Sequence, residues 1–226
     1  MFIWLSTQAE TLFRILKFLL PAVPVTIEIT IISFALAILM GMGVAVGRVS
    51  QNKIVNKIFK IYTDVIRGVP LLVQIFFIYF GLGRVLNLDR FYAGVAAISI
   101  CYSAYLAEII RAGIGAVPKA QLESALSLGM SRGQAMRYVI LPQANRIIIP
   151  PVANEFIAAL KDSSLVSIIG LRELTRAGRE YYSQYFVDFE TWFVVGLIYL
   201  AMTLSLSRLV SFLEKKYHIK GYGVMH

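Results

Sequence analysis

Residues 21–47 read PAVPVTIEITIISFALAILMGMGVAVG, twenty-seven residues with one charged side chain, Glu28. An α-helix rises 1.5 Å per residue, so about 20 apolar residues cross the hydrocarbon core of a bilayer and this run is long enough to span. Four more segments have the length for it: 69–88, 92–109, 140–160 and 191–213. The fourth of the five is interrupted by Asn145, Arg146, Pro150, Pro151 and Glu155. With 58% hydrophobic residues, 15% charged and a mean hydropathy of +0.71, the 226-residue chain is too apolar for a soluble domain of ordinary composition. The expected fold is an all-α integral membrane protein with five transmembrane helices, forming one domain over 1–226.

The formal charge of +9 does not imply nucleic-acid binding, because the basic residues alternate with the apolar runs as membrane anchors do. Fourteen Lys and Arg fall on one side of the bilayer, from Arg48, Lys53, Lys57, Lys60 and Arg67 through Arg111–Arg146 to Arg208 and Lys220; eight fall on the other. The positive-inside rule then puts the N-terminus outside and the C-terminus in the cytoplasm. No removable signal pattern is visible at the start, and residues 11–20, with Arg14 and Lys17 among Leu, Ile and Phe, read as a short amphipathic helix at the interface. The one cysteine, Cys101, excludes an intrachain disulfide and a multi-thiolate metal site.

An ionisable group near the centre of a membrane helix costs roughly 2.5–3.5 kcal/mol, so each asks for a partner or a task. Glu28 falls near the outer end of the first span, where water is close. Glu108 falls near the inner end of the third, three residues before Arg111, which suggests an ion pair with Arg111 or Arg67 or a gate contact. Glu155 falls at mid-depth just beyond Pro150-Pro151, a pair expected to break the helix where it faces protein or a water-filled cavity. Asp162 is two turns further and on the same face if the helix continues. With Lys161, these acids suit a ligand carrying both an ammonium and a carboxylate; the alternatives are a salt-bridged Glu155 at a kink and Lys161 and Asp162 as interface anchors at the outer end. Asn154, Ser164, Gln74, Tyr102 and Tyr105 are further polar candidates. Gly43 and Gly47 form a small-x-x-x-small pair suited to close helix packing. No G-x-x-x-x-G-K-[ST] occurs, so ATP chemistry is not expected in this chain; His218 and His226 in the tail offer no catalytic constellation.

Between the third and fourth spans, residues 121–138 read QLESALSLGMSRGQAMRY, two short helical patterns joined at Gly129. Leu122, Ala125, Leu126 and Met136 supply apolar faces, while Glu123, Arg132 and Arg137 stay polar, a surface suited to a partner's groove or to the chain's own bundle. Glu123-Ser124-Ala125, Gly129 and Ile140-Leu141-Pro142 resemble, in order and spacing, the EAA loop of ABC-transporter permeases, with Ser124 where a second alanine is usual. Residues 67–74 (RGVPLLVQ), 107–113 (AEIIRAG) and 161–165 (KDSSL) look like those of the polar amino acid uptake branch.

That resemblance implies a type I-like importer permease whose EAA loop, about 111–142, receives an ATPase. Two ATP-binding subunits would bind ATP and Mg outside this chain. A second permease copy or a paralogue would complete the pathway, and an extracytoplasmic solute-binding protein would deliver the amino acid. The expected location is the bacterial inner membrane. Glu155 suggests basic amino acids; glutamine or glutamate-type substrates remain the alternative. An ion-coupled secondary transporter also uses broken helices, but five spans without a repeat, together with the EAA loop, speak against it.

Overall fold

The structure is a computed structural model that describes residues 2–217, with side chains from residue 10 to residue 212; His218, Lys220 and His226 lie outside the described residues. The described residues form helices and no strands. In chain order these are α1 (Phe2–Leu19), α2 (Val23–Arg48), α3 (Lys53–Gly68), α4 (Leu71–Phe76), α5 (Gly83–Leu86), α6 (Arg90–Ala116), α7 (Lys119–Ser127), α8 (Arg132–Ala135), α9 (Leu141–Asp162), α10 (Leu174–Tyr185) and α11 (Asp188–Tyr217). Wider π-type turns join α4 to α5 and α8 to α9, and a tighter 3₁₀ segment, Ser163–Ile169, follows α9.

Helices α2 and α6 form the spine. Ser33, Ala37, Gly41 and Ala45 recur every four residues on α2 and are buried, facing Ser99, Ser103 and Ala107 on α6. A Cβ at Gly41 would come within 3.0 Å of the Ser103 carbonyl oxygen and the Leu106 side chain, so the two backbones approach as closely as small residues permit. The expected Gly43–Gly47 pair does not make this contact. Gly43 faces outward with nothing within 4 Å, while Gly47 is covered by the Phe59 ring of α3.

The second expected span is a bent unit. Pro70 lacks an N–H and holds Val69 extended, which ends α3, and the chain turns by 102° into α4 and α5. The buried Gln74 amide nitrogen donates to the carbonyls of Ile66 and Val69, both at 2.8 Å, replacing the helical partners lost at the bend. Among the described residues three helical runs are long and apolar enough to cross a membrane, Glu10–Arg48, Arg90–Ala116 and Asp188–Phe212, or four if the bent pair counts as one broken span. Five were expected. Helix α9 is long enough at about 33 Å, but its polar residues keep it below that apolarity.

Two further expectations are corrected. Pro150 and Pro151 do not break α9, which runs unbroken from Leu141 to Asp162. The prolines remove only the hydrogen bonds to the Arg146 and Ile147 carbonyls, and α6, α11 and α2 pack against the helix. The N-terminal segment is not merely an interface helix: Ile15 and Leu19 of α1 are fully buried against Leu174, Ala177 and Tyr181 of α10 and Val194, Val195 and Ile198 of α11.

Candidate functional site

Beside the bend, the α3–α4 corner, α6 and the second half of α9 line a half-open cavity of about 440 Å³. Arg67, Gly68, Val69, Pro70 and Leu71 form one wall, Cys101, Tyr102 and Tyr105 a second, and Glu155, Ala158 and Asp162 the third. Two acids therefore face one base. The Tyr102 hydroxyl donates to Asp162 Oδ2 at 2.8 Å, which fixes that carboxylate. The Arg67 guanidinium lies over the Tyr105 ring, 5.3 Å from its centre, in a cation–π contact, and among the described residues it makes no hydrogen bond or ion pair. Glu155 has no hydrogen-bond or ion-pair partner among the described residues.

Of the residues singled out in the sequence, Glu155 and Asp162 meet in this cavity because seven residues are nearly two full turns. Asn154, Lys161 and Ser164 are not among its lining residues, and Asn154 and Lys161 are exposed. Each step along a helix turns about 100°, which carries the immediate neighbours of Glu155 and Asp162 onto other faces. Gln74 serves the bend. Arg67 is the base that sequence reasoning placed elsewhere, as a partner of Glu108; the signal was the proline three residues on, which turns α3 across α6.

Glu108 is bound by two arginines, Arg111 Nε at 2.9 Å and Arg48 Nε at 2.8 Å. The expected Arg111 pair is present, and Arg48, at the end of α2, takes the place considered for Arg67. Glu28 is exposed on α2.

The loop between α6 and α9 folds as two capped helices. The N–H groups of Gly129 and Met130 donate to the carbonyls of Leu126 and Ala125, closing α7 with a Schellman turn whose Gly129 has φ +83°. Ser131 and Gln134 then exchange a capping box that opens α8. Ala125 and Ala135 are buried, and Val117, Leu122, Met136 and Ile140 pack with Ala144 and Ile148 of α9. The opposite side shows Glu123, Ser124, Gly129 and a Leu128 that is 82% exposed. Leu141 and Pro142 open α9 directly after the π-type turn Met136–Ile140, so the helical run continues through the proline from α8.

The family described as binding-protein-dependent transport system inner membrane component matches residues 33–219. The glutamine transport system permease protein GlnP of Escherichia coli (strain K12) is 38% identical over 209 residues, covering 88% of this chain and 95% of that protein. The arginine transport system permease protein ArtQ of Bacillus subtilis (strain 168) is 34% identical over 203 residues, covering 89% and 93%. A crystal structure of an amino acid ABC transporter with histidines contains a chain that superposes with a TM-score of 0.85 at 42% identity, over 94% of this chain and 97% of that one. Matches of this extent reach across every helix of the cavity and the loop, and so the chain belongs to the binding-protein-dependent transport system inner membrane components, among them to the amino acid ABC-transporter permeases that its motifs resemble.

Proposed function

We propose that this chain is the membrane-spanning subunit of an ATP-driven bacterial importer for polar amino acids, with a leaning to arginine, lysine or histidine. The observation that carries the substrate reading is the charge inventory of the cavity: Glu155 and Asp162 against Arg67. A zwitterionic amino acid needs one base for its carboxylate and one acid for its ammonium. Arg67 suits the first role, which the sequence had suggested for Lys161, and the Tyr102-held Asp162 suits the second. Glu155 is then a surplus carboxylate in a partly dry site, and a cationic side chain is the partner that relieves it. Relatives bearing glutamine and arginine names both match, so the cavity chemistry is what favours the basic class.

In this reading the exposed face of α7, with Glu123, Ser124 and Leu128, receives one of two ATP-binding subunits. ATP and Mg are held there, and this chain catalyses no reaction. A second permease copy or paralogue and an extracytoplasmic solute-binding protein complete the importer in the inner membrane. The test is uptake by the reconstituted complex. Glu155→Gln should lower arginine or lysine uptake about tenfold or more, the scale of one lost buried ion pair, while glutamine handling and assembly change little. Equal loss for both substrates, or no loss, would make Glu155 structural.

A further inference from the structure

At the end of the bundle opposite the α7–α8 loop, α1 and α10 leave a cleft of about 380 Å³ between Arg14, Lys17 and Phe18 on one side and Tyr181 and Tyr185 on the other. Its lining holds two cations, three aromatic rings and no acid. Arg14 and Lys17 are three residues apart and so share a face of α1. Glu10 reaches Arg14 at 3.7 Å, but both side chains are mostly exposed, so that contact leaves the guanidinium available. The rings are held by one another and by Arg172: Phe18 meets Tyr181 edge-on at 5.2 Å, Tyr181 lies 4.5 Å from Tyr185, and the Arg172 guanidinium, itself paired with Glu180 at 2.7 Å, lies 5.5 Å from the Phe18 ring centre.

The position of the cleft identifies its occupant. Arg14 and Lys17 stand one to two turns before the apolar run that begins at residue 21, and α1 passes into α2 through the single turn Leu20–Ala22. The neighbouring start of α11 exposes Phe189, Trp192 and Phe193, and Phe186 precedes it. Exposed aromatic rings gathered at one end of a bundle mark the boundary between hydrocarbon and headgroups. We infer that this cleft binds the phosphate of an anionic phospholipid headgroup, with Arg14 and Lys17 on the phosphate, the tyrosine hydroxyls on the headgroup polar atoms, and Phe18 beside the first acyl carbons. A cation pair set among aromatics at headgroup depth is the arrangement that a lipid phosphate satisfies and a purely apolar chain does not.

The full chain in detergent is titrated with dioctanoyl phosphatidylglycerol and, in parallel, dioctanoyl phosphatidylcholine, and bound lipid is counted by native mass spectrometry. The wild type should favour the anionic lipid by at least about tenfold, and the R14Q/K17Q double variant should lose that preference. Both side chains are exposed, so the variant should stay monodisperse; the charge-keeping R14K/K17R variant should retain the preference, which separates charge from folding. Equal binding of the two lipids by the wild type, or an undiminished preference in R14Q/K17Q, overturns the site. Displacement of the lipid by inorganic phosphate at equal concentration would make it a free-anion site and overturn the lipid assignment. An R14Q/K17Q chain that keeps its lipid preference but loses stimulation by the solute-binding protein would assign the pair to that soluble partner instead.

Discussion

Gly129 shows how a single residue sets the shape of the loop. At φ +83° an L-residue with a side chain brings its Cβ against the following carbonyl, which costs about 1–2 kcal/mol, whereas glycine adopts the conformation freely. No neighbour lies within 4 Å of a Cβ built there, so the penalty of a substitution is conformational and not a clash with the bundle. Gly129→Val should therefore leave insertion and the α2–α6 spine intact while loosening the turn between α7 and α8. In the reconstituted complex this should appear as weaker ATPase binding or as ATP hydrolysis that no longer drives uptake in proportion. Normal assembly with fully coupled uptake would remove α7 from the transmission path.

Among the elements, α10 is held by a buried acid. Glu173 is fully buried and caps the helix, accepting from the N–H groups of Arg176 at 2.7 Å and Thr175 at 2.9 Å and from the Tyr199 hydroxyl of α11 at 3.0 Å. The Leu174 N–H donates to the Thr26 hydroxyl, so one turn of chain ties α10 to α2 and α11 together. Glu173→Ala strands these donors and should cost on the order of 2 kcal/mol, read as a lowered melting temperature of the detergent-solubilised chain. Burial pushes the Glu173 carboxyl above the ordinary glutamate range, against the pull of its donors. A carboxyl with a raised folded-state pKa contributes stability that is fully present below its unfolded value and is lost as pH rises through the folded one. The stability advantage of the wild type over Glu173→Gln should accordingly shrink between about pH 4.5 and neutrality; an advantage that grows over that range would contradict the burial argument.

At the scale of the whole molecule, the α7–α8 loop and the Arg14–Tyr185 cleft lie at opposite ends of the bundle, and the excess of Lys and Arg accompanies the loop end. The positive-inside rule applied to that asymmetry predicts that the loop end lies in the cytoplasm. Single cysteines placed at Gln184 and Ser127, both exposed, in a Cys101→Ala background should therefore differ. Gln184→Cys should react with an impermeant thiol reagent in intact cells, and Ser127→Cys only after permeabilisation. The reverse pattern would invert the protein and with it the face that meets the ATPase.

The sequence by itself determined the membrane class, the helical content, the two-helix loop with its glycine turn, the permease family, and the spacing that brings Glu155 and Asp162 onto one face. These are properties of local periodicity and short-range chemistry: apolar run length, a 3.6-residue repeat, a residue able to take positive φ. Tertiary structure decided what periodicity leaves open. It chose Ser33, Ala37, Gly41 and Ala45 over Gly43 as the contact stripe, because only one face of α2 can meet α6. It kept α9 whole through two prolines, because flanking helices offset two missing hydrogen bonds where an isolated helix would bend. It carried Arg67 into the cavity and left Lys161 outside, because the 102° turn at Pro70 joins residues about ninety positions apart in the chain, whereas Lys161 is only one residue, but 100° of helix, away from Asp162.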